Sequence, residues 1–175
     1  MKTGEVFTMT ESHAIMRYLA DSRGLADHWY PSGLKERAQV DEYLDQHHSF
    51  LRVGVAGYIF KKFFQKNFWN MSFEEEELVP EKIMYRRALR LIEERLTKHP
   101  YLCGKDISIA DISAACELEQ MRIVDFSLDN YPKTKEWLHR CVDENPIMNE
   151  VHKPVRKFAK MMVQRQKKAG TLPKL

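Results

Sequence analysis

Glu11 and Ser12 are the first residues in the chain whose types and placement could do chemistry. They stand at the head of a helical segment from about Glu11 to Ala20, with Ala14, Ile15, Tyr18 and Leu19 on one face. Free backbone N–H groups at a helix N-terminus favour a carboxylate, and Glu11 offers a negative charge to an ammonium group. An ordinary helix start carries the same two types, as a capping hydroxyl and a first-turn acid. Arg52 is a cation inside a longer helical stretch, where an arginine is most often solvated or salt-bridged. His47 and His48 are adjacent, so on a helix they diverge by about 100° and cannot chelate one metal together. No His or Cys set has zinc spacing, and neither a phosphate loop nor a G-x-S-x-G turn occurs.

Ser108 and Asp111 form the sharpest local signal, within Ile107-Ser108-Ile109-Ala110-Asp111-Ile112. The hydroxyl at the cap can accept from the Asp111 N–H while the carboxylate reaches back to the Ser108 N–H. This is a capping box, with Ile107 and Ile112 placed as its hydrophobic staple. Its role is structural rather than catalytic.

The elements that must position these residues are mostly helices. Val6 to Thr10 reads as a short strand, rich in β-branched and aromatic types. Asp27 to Gly33 carries the turn chemistry of a linker. Leu34, Ala38, Asp41, Leu44, His48 and Leu51 step at i, i+3/i+4 along a helix continuing towards Phe63. Gly54 and Gly57 within it suit a bend or close helix contact, and Leu44 and Leu51 offer apolar area for self-association. The acidic run Glu74 to Glu77 precedes a helix of about Pro80 to Lys98 with Tyr85, Ala88, Leu89, Ile92 and Leu96 as its stripe. Residues 107–123 are apolar around most of the helix circumference, the mark of a helix buried on several sides. Pro132 suits the first turn of a helix bearing Trp137 and Cys141. Val151, Val155, Phe158 and Met162 share a face of a last helix, which Pro154 should bend or restart. The aromatic cluster Tyr58, Phe60, Phe63, Phe64, Phe68 and Trp69 suits an apolar substrate pocket and a bundle core equally.

Composition narrows the classes. The 175 residues are 43% hydrophobic and 30% charged, enough for a real core and unlike a disordered chain. No apolar run approaches a spanning helix, and the first residues lead into no signal peptide. Three cysteines without a pairing pattern point to a reducing compartment and buried free thiols. The net charge of +3 hides an asymmetry: from His152 onward there are eight basic residues and no acid. Residues 1–151 are therefore net acidic, which argues against nucleic-acid binding by the main body. The basic end reads as a solvated helix face, with a lid or an acidic surface contact as alternatives.

Three stretches carry a family resemblance. Tyr101-Leu102-Cys103-Gly104 followed by the capping hexapeptide resembles the capping-box and staple motif of the cytosolic glutathione transferases. Phe7-Thr8-Met9-Thr10-Glu11-Ser12-His13-Ala14-Ile15 looks like that family's last strand of the glutathione-binding domain, its Glu-Ser dipeptide and the following helix. Asp27-His28-Trp29-Tyr30-Pro31, with Arg37 to Leu44 and Gln46-His47, is similar to the theta class in particular. The likeness runs from Phe7 to about Lys160.

The resemblance implies a mainly α chain: a glutathione-transferase C-terminal helical bundle preceded by a remnant of a thioredoxin-like α/β domain. The expected division is 1–24 remnant, 25–33 linker and 34–175 all-α domain. It implies that Glu11 and Ser12 bind the γ-glutamyl end of glutathione and that Arg52 is an active-site arginine stabilising the thiolate. Glutathione is then a co-substrate with small electrophiles, no cofactor or metal is needed, and a cytoplasmic homodimer without nucleic-acid or membrane partners is expected. The class carries a C-terminal extension that covers the active site, and under the alternative reading of the basic end Val155, Phe158 and Met162 would serve as that lid. The family's catalytic serine and Val-Pro step lie upstream of the dipeptide, so no serine here takes the catalytic position. An N-terminally truncated chain with little activity of its own is expected, the alternative being a non-catalytic dimerisation or interaction module.

Overall fold

The computed structural model describes residues 6–168, and helical periodicity dominates it as the sequence requires. Helix α1 (Ser12–Ser22) ends at Gly24, whose φ of +59° only glycine adopts without strain. A single turn at Asp27–Trp29 leads to α2 (Leu34–His47), α3 (Val53–Ile59) and α4 (Lys66–Trp69). These three form one continuous helical run, interrupted by π-type turns at His48–Arg52 and Phe60–Gln65 and stopped by Asn70 in the left-handed region. The periodicity predicts a single helix to about Phe63; the run is longer, and the π turns are invisible to residue spacing.

Helix α5 (Val79–Lys98) begins after a capping box between Glu74 and Glu77, with Pro80 in its first turn. Glu75 ties this entry down by pairing with Lys62 and Lys82, which hold its carboxyl down at about 2. Helix α6 (Ile109–Glu119) is buried on several sides, α7 (Pro132–Leu138) opens on its proline, and α8 (Pro146–Lys168) closes the described chain. The core lies where α3, α5 and α6 meet: Leu44, Leu51, Val55, Tyr58, Ile59, Leu89, Ala114, Leu118 and Trp137 are almost fully buried.

The expected capping box is formed in both directions. The Ser108 N–H donates to Asp111 Oδ2 at 2.9 Å, and the Ser108 hydroxyl donates to the same oxygen at 2.9 Å. Ser108→Ala should cost about 1 kcal/mol, lowering Tm by about 2–4 °C for a chain of this size. Calorimetry reading an unchanged Tm would contradict a stabilising cap.

Four sequence expectations are corrected. Residues 6–10 carry no regular secondary structure and form no strand: Val6 is 90% exposed and no partner ladder exists among the described residues, without which a strand's backbone groups gain nothing over water. Pro154 does not restart the last helix, which runs through it; Pro154 and Glu150 are both exposed, so the carbonyl that loses its donor can face solvent. Cys116 is exposed, and only Cys141 is a buried thiol. Leu44 and Leu51 point into their own bundle, fully buried, and offer no self-association face.

Candidate active site

The head of α1 starts on a strained, uncapped residue. Glu11 is its N-cap with φ of +67°, a strained value for a non-glycine residue, of a kind concentrated at functional sites. The Ile15 N–H donates to the Glu11 carbonyl at 2.9 Å, so the earlier N–H groups of the helix lack intrahelical partners. The Glu11 side chain makes no capping bond, and both Glu11 and Ser12 are exposed. Ser12 is the first residue of the helix and Glu11 its cap, so Ser12 is not placed as an ordinary helix cap.

The rest of α1 is anchored to the bundle. Arg17 Nε donates to Asp41 Oδ1 at 2.7 Å, and the Tyr30 hydroxyl donates to the same carboxylate at 3.0 Å. Two residues past Glu11, His13 is buried with Nε2 2.7 Å from the Ser113 hydroxyl on α6. Its ring centroid lies 4.2 Å from that of His48 and 5.0 Å from that of His47. Burial pushes the His13 imidazole down to about 4, and the neighbouring His47, His48 and Arg17 push the same way.

That shift has a sign. An unfolded His13 takes its proton near 6.5, while the folded one resists until about 4. The stabilising contribution is therefore fully present above pH 6.5 and lost as pH falls towards 4. Wild type should lose Tm over that interval more steeply than His13→Gln; parallel pH profiles of the two would contradict the account.

Arg52 lies in the first π turn, where one extra residue re-aims side chains. Its side chain is 58% exposed, and Nη1 donates to Glu117 Oε2 at 3.2 Å. Glu117 stands four residues after Ser113 on the same face of α6, its side chain only 4% exposed. His47 Nε2 lies 3.6 Å from the same Glu117 oxygen. The head of α1 and Arg52 are thus joined through His13, His47 and Glu117. Neither His13 nor Glu117 was singled out from the sequence; both look like generic helix residues until the tertiary contacts exist.

Other groups fall outside this constellation. Ser108 and Asp111 belong to the core and fix the start of α6, from which Ser113 and Glu117 project. The aromatic cluster splits: Tyr58 and Phe63 are core, while Phe60, Phe68 and Trp69 are exposed. Burial pushes the Cys103 thiol up to about 12 and raises that of Cys141, while partial desolvation of the sulfur and the nearby Glu117 and Glu119 raise that of the otherwise exposed Cys116, so none is poised as a nucleophile. No group of three His, Cys, Asp or Glu side chains among the described residues could hold a metal ion. No helix among them is long and apolar enough to cross a membrane.

Comparison with known proteins settles the family. The model for the glutathione S-transferase C-terminal domain matches residues 58–145. The chain belongs to the glutathione transferases, in the theta class. It is 35% identical over 142 residues to glutathione S-transferase theta-1 of Gallus gallus, covering 80% of this chain and 54% of that protein. It is 31% identical over 174 residues to glutathione S-transferase T1 of Arabidopsis thaliana, covering 94% of this chain and 70% of that one. The fold is similar to a human theta-class glutathione transferase in complex with the glutathione conjugate of 1-menaphthyl sulfate, with TM-score 0.80 and 27% identity, covering 95% of this chain and 68% of the other. The theta-class chain thus spans between about half and 70% of the length of these curated relatives. The sequence-based expectation of a mainly helical glutathione transferase holds.

Proposed function

We propose that this chain takes part in conjugating glutathione to electrophilic carbon compounds. Glu11 and Ser12, with residues 1–24 as part of a glutathione-binding unit, receive the γ-glutamyl end. Its carboxylate sits against the free N–H groups and hydroxyl at the head of α1, and its ammonium against Glu11. Arg52 stabilises the anionic sulfur left when the thiol gives up its proton; that sulfur attacks the electrophilic carbon, and the C–S bond forms as the bond to the leaving group breaks and its electron pair departs with that group. The observation that carries this reading is the exposed, uncapped head of α1 with its strained Glu11. The relative solved with a glutathione conjugate supports it.

The test is retention on immobilised glutathione with elution by free glutathione. Ser12→Ala should weaken binding by about tenfold or more, since a hydrogen bond to a charged group is worth roughly 1.5–3 kcal/mol. Folded protein that flows through unretained would overturn the reading and favour an interaction module.

The partner surface suits a second copy in the cytosol. Val53 and Phe60 in the α3 region and Val79 and Ile83 on α5 are exposed, although α3 and α5 themselves cross tightly. Sedimentation at micromolar concentration should show a dimer, and Ile83→Lys should shift it to monomer. A monomeric wild type would contradict this surface.

A further inference from the structure

We propose that Glu117 is the positioning residue for Arg52, fixing its guanidinium so that the donors not held by Glu117 remain available to the anionic sulfur of glutathione. This rests on the reading of Arg52 given above and extends it to a residue with no assigned role.

Burying a carboxylate costs several kcal/mol unless its partners repay it, and well-packed apolar residues often stabilise as well as buried ion pairs do. A buried acid held for stability alone should therefore have both oxygens saturated. Glu119, two residues on, is such a case: Arg122 Nε donates to one oxygen at 2.9 Å and Arg156 Nε to the other at 2.7 Å. That cluster clamps α8 to α6. Glu117 is arranged differently. Arg52 and His47 both approach Oε2, at 3.2 Å and 3.6 Å, while Oε1 is buried with no hydrogen-bond partner.

The arginine shows the complementary imbalance. Arg156 is mostly buried and contacts Glu119 and Asp143, whereas Arg52 engages Glu117 through one terminal nitrogen and its side chain is 58% exposed. A planar guanidinium held at one edge by a buried carboxylate is fixed in direction while its other edge remains able to bind an anion. The backing is rigid. Glu117 is on the helix whose start is set by the Ser108–Asp111 box, and His47 packs edge-on to His13 behind the α1 head. Neutralising Glu117 should therefore free Arg52 without dismantling the bundle.

The test compares wild type with Glu117→Gln, Arg52→Ala and the double variant. In ligand-free protein, the Arg52 Nε–Hε NMR signal should be resolved and slowly exchanging in wild type. It should collapse towards the mobile-arginine region in Glu117→Gln while those of Arg122 and Arg156 stay in place. In glutathione titrations, each single variant should raise Kd at least fivefold and the double variant no further, because both remove the same interaction. An Arg52 signal unmoved in folded Glu117→Gln, or additive effects in the double variant, would overturn the proposal. If wild type binds no glutathione yet the Arg52 signal collapses in Glu117→Gln, the positioning stands and the glutathione reading falls. Should Glu117→Gln not fold, Arg52→Gln at its half-exposed position carries the test: the Glu117 carboxyl carbon resonance must move, and its staying in place would overturn the proposal.

Discussion

Replacing Asp111 by alanine should cost about 3–5 kcal/mol, a large part of the roughly 5–15 kcal/mol that holds a typical domain together. The carboxylate is fully buried and accepts four hydrogen bonds at 2.9 Å: from the Leu102 and Ser108 N–H groups, the Ser108 hydroxyl and Trp137 Nε1. Burial pushes its carboxyl up, against the four donors that pull it down. Alanine would leave those donors in the core, each at the price of its desolvation. It would also disconnect three elements at once, since Leu102 precedes α6, Ser108 caps it and Trp137 is on α7. Asp111→Asn keeps the shape but turns an NH2 towards donors, so it should recover only part of the loss. Urea unfolding measures both; a loss below about 1 kcal/mol for Asp111→Ala would contradict this reading.

Gly54→Ala should be the next most damaging change, at about 3 kcal/mol, the upper part of the overpacking range. A Cβ there would stand 2.3 Å from the Tyr85 backbone nitrogen and 2.7 Å from its Cα. Backbone cannot rotate away as a side chain can, so α3 and α5 would have to separate at the centre of the core. Gly57 is the internal control. Its added Cβ would meet only the Glu81 side chain, at 3.1 Å. That side chain is flexible, and the gain in helix propensity is about 1 kcal/mol. Thermal melts should therefore show Gly54→Ala strongly destabilised and Gly57→Ala unchanged or improved. Equal losses would mean that helix packing is not what requires Gly54.

The contrast between these glycines shows what the sequence can and cannot say. Spacing marks both as helical oddities; only the crossing of α3 over α5 separates the indispensable one from the dispensable one. The capping box was legible because Ser108 and Asp111 satisfy each other within one turn. The two further bonds of Asp111, to Leu102 and Trp137, depend on tertiary placement and were not. Val6 to Thr10 has strand composition, but composition does not supply a neighbouring strand. Glu11 and Ser12 were legible as a pair, while the strained backbone that leaves them uncapped was not. Arg52 was named, but Glu117, 65 positions further along, could be linked to it only through the fold.

The central claim, that the head of α1 receives the γ-glutamyl end of glutathione, is tested most directly by amide NMR of the labelled chain. Titrating glutathione should shift the Ser12, His13 and Ala14 amides, and titrating cysteinylglycine, which lacks the γ-glutamyl group, should leave them in place. Equal shifts with both ligands, or shifts confined to residues away from α1, would contradict it.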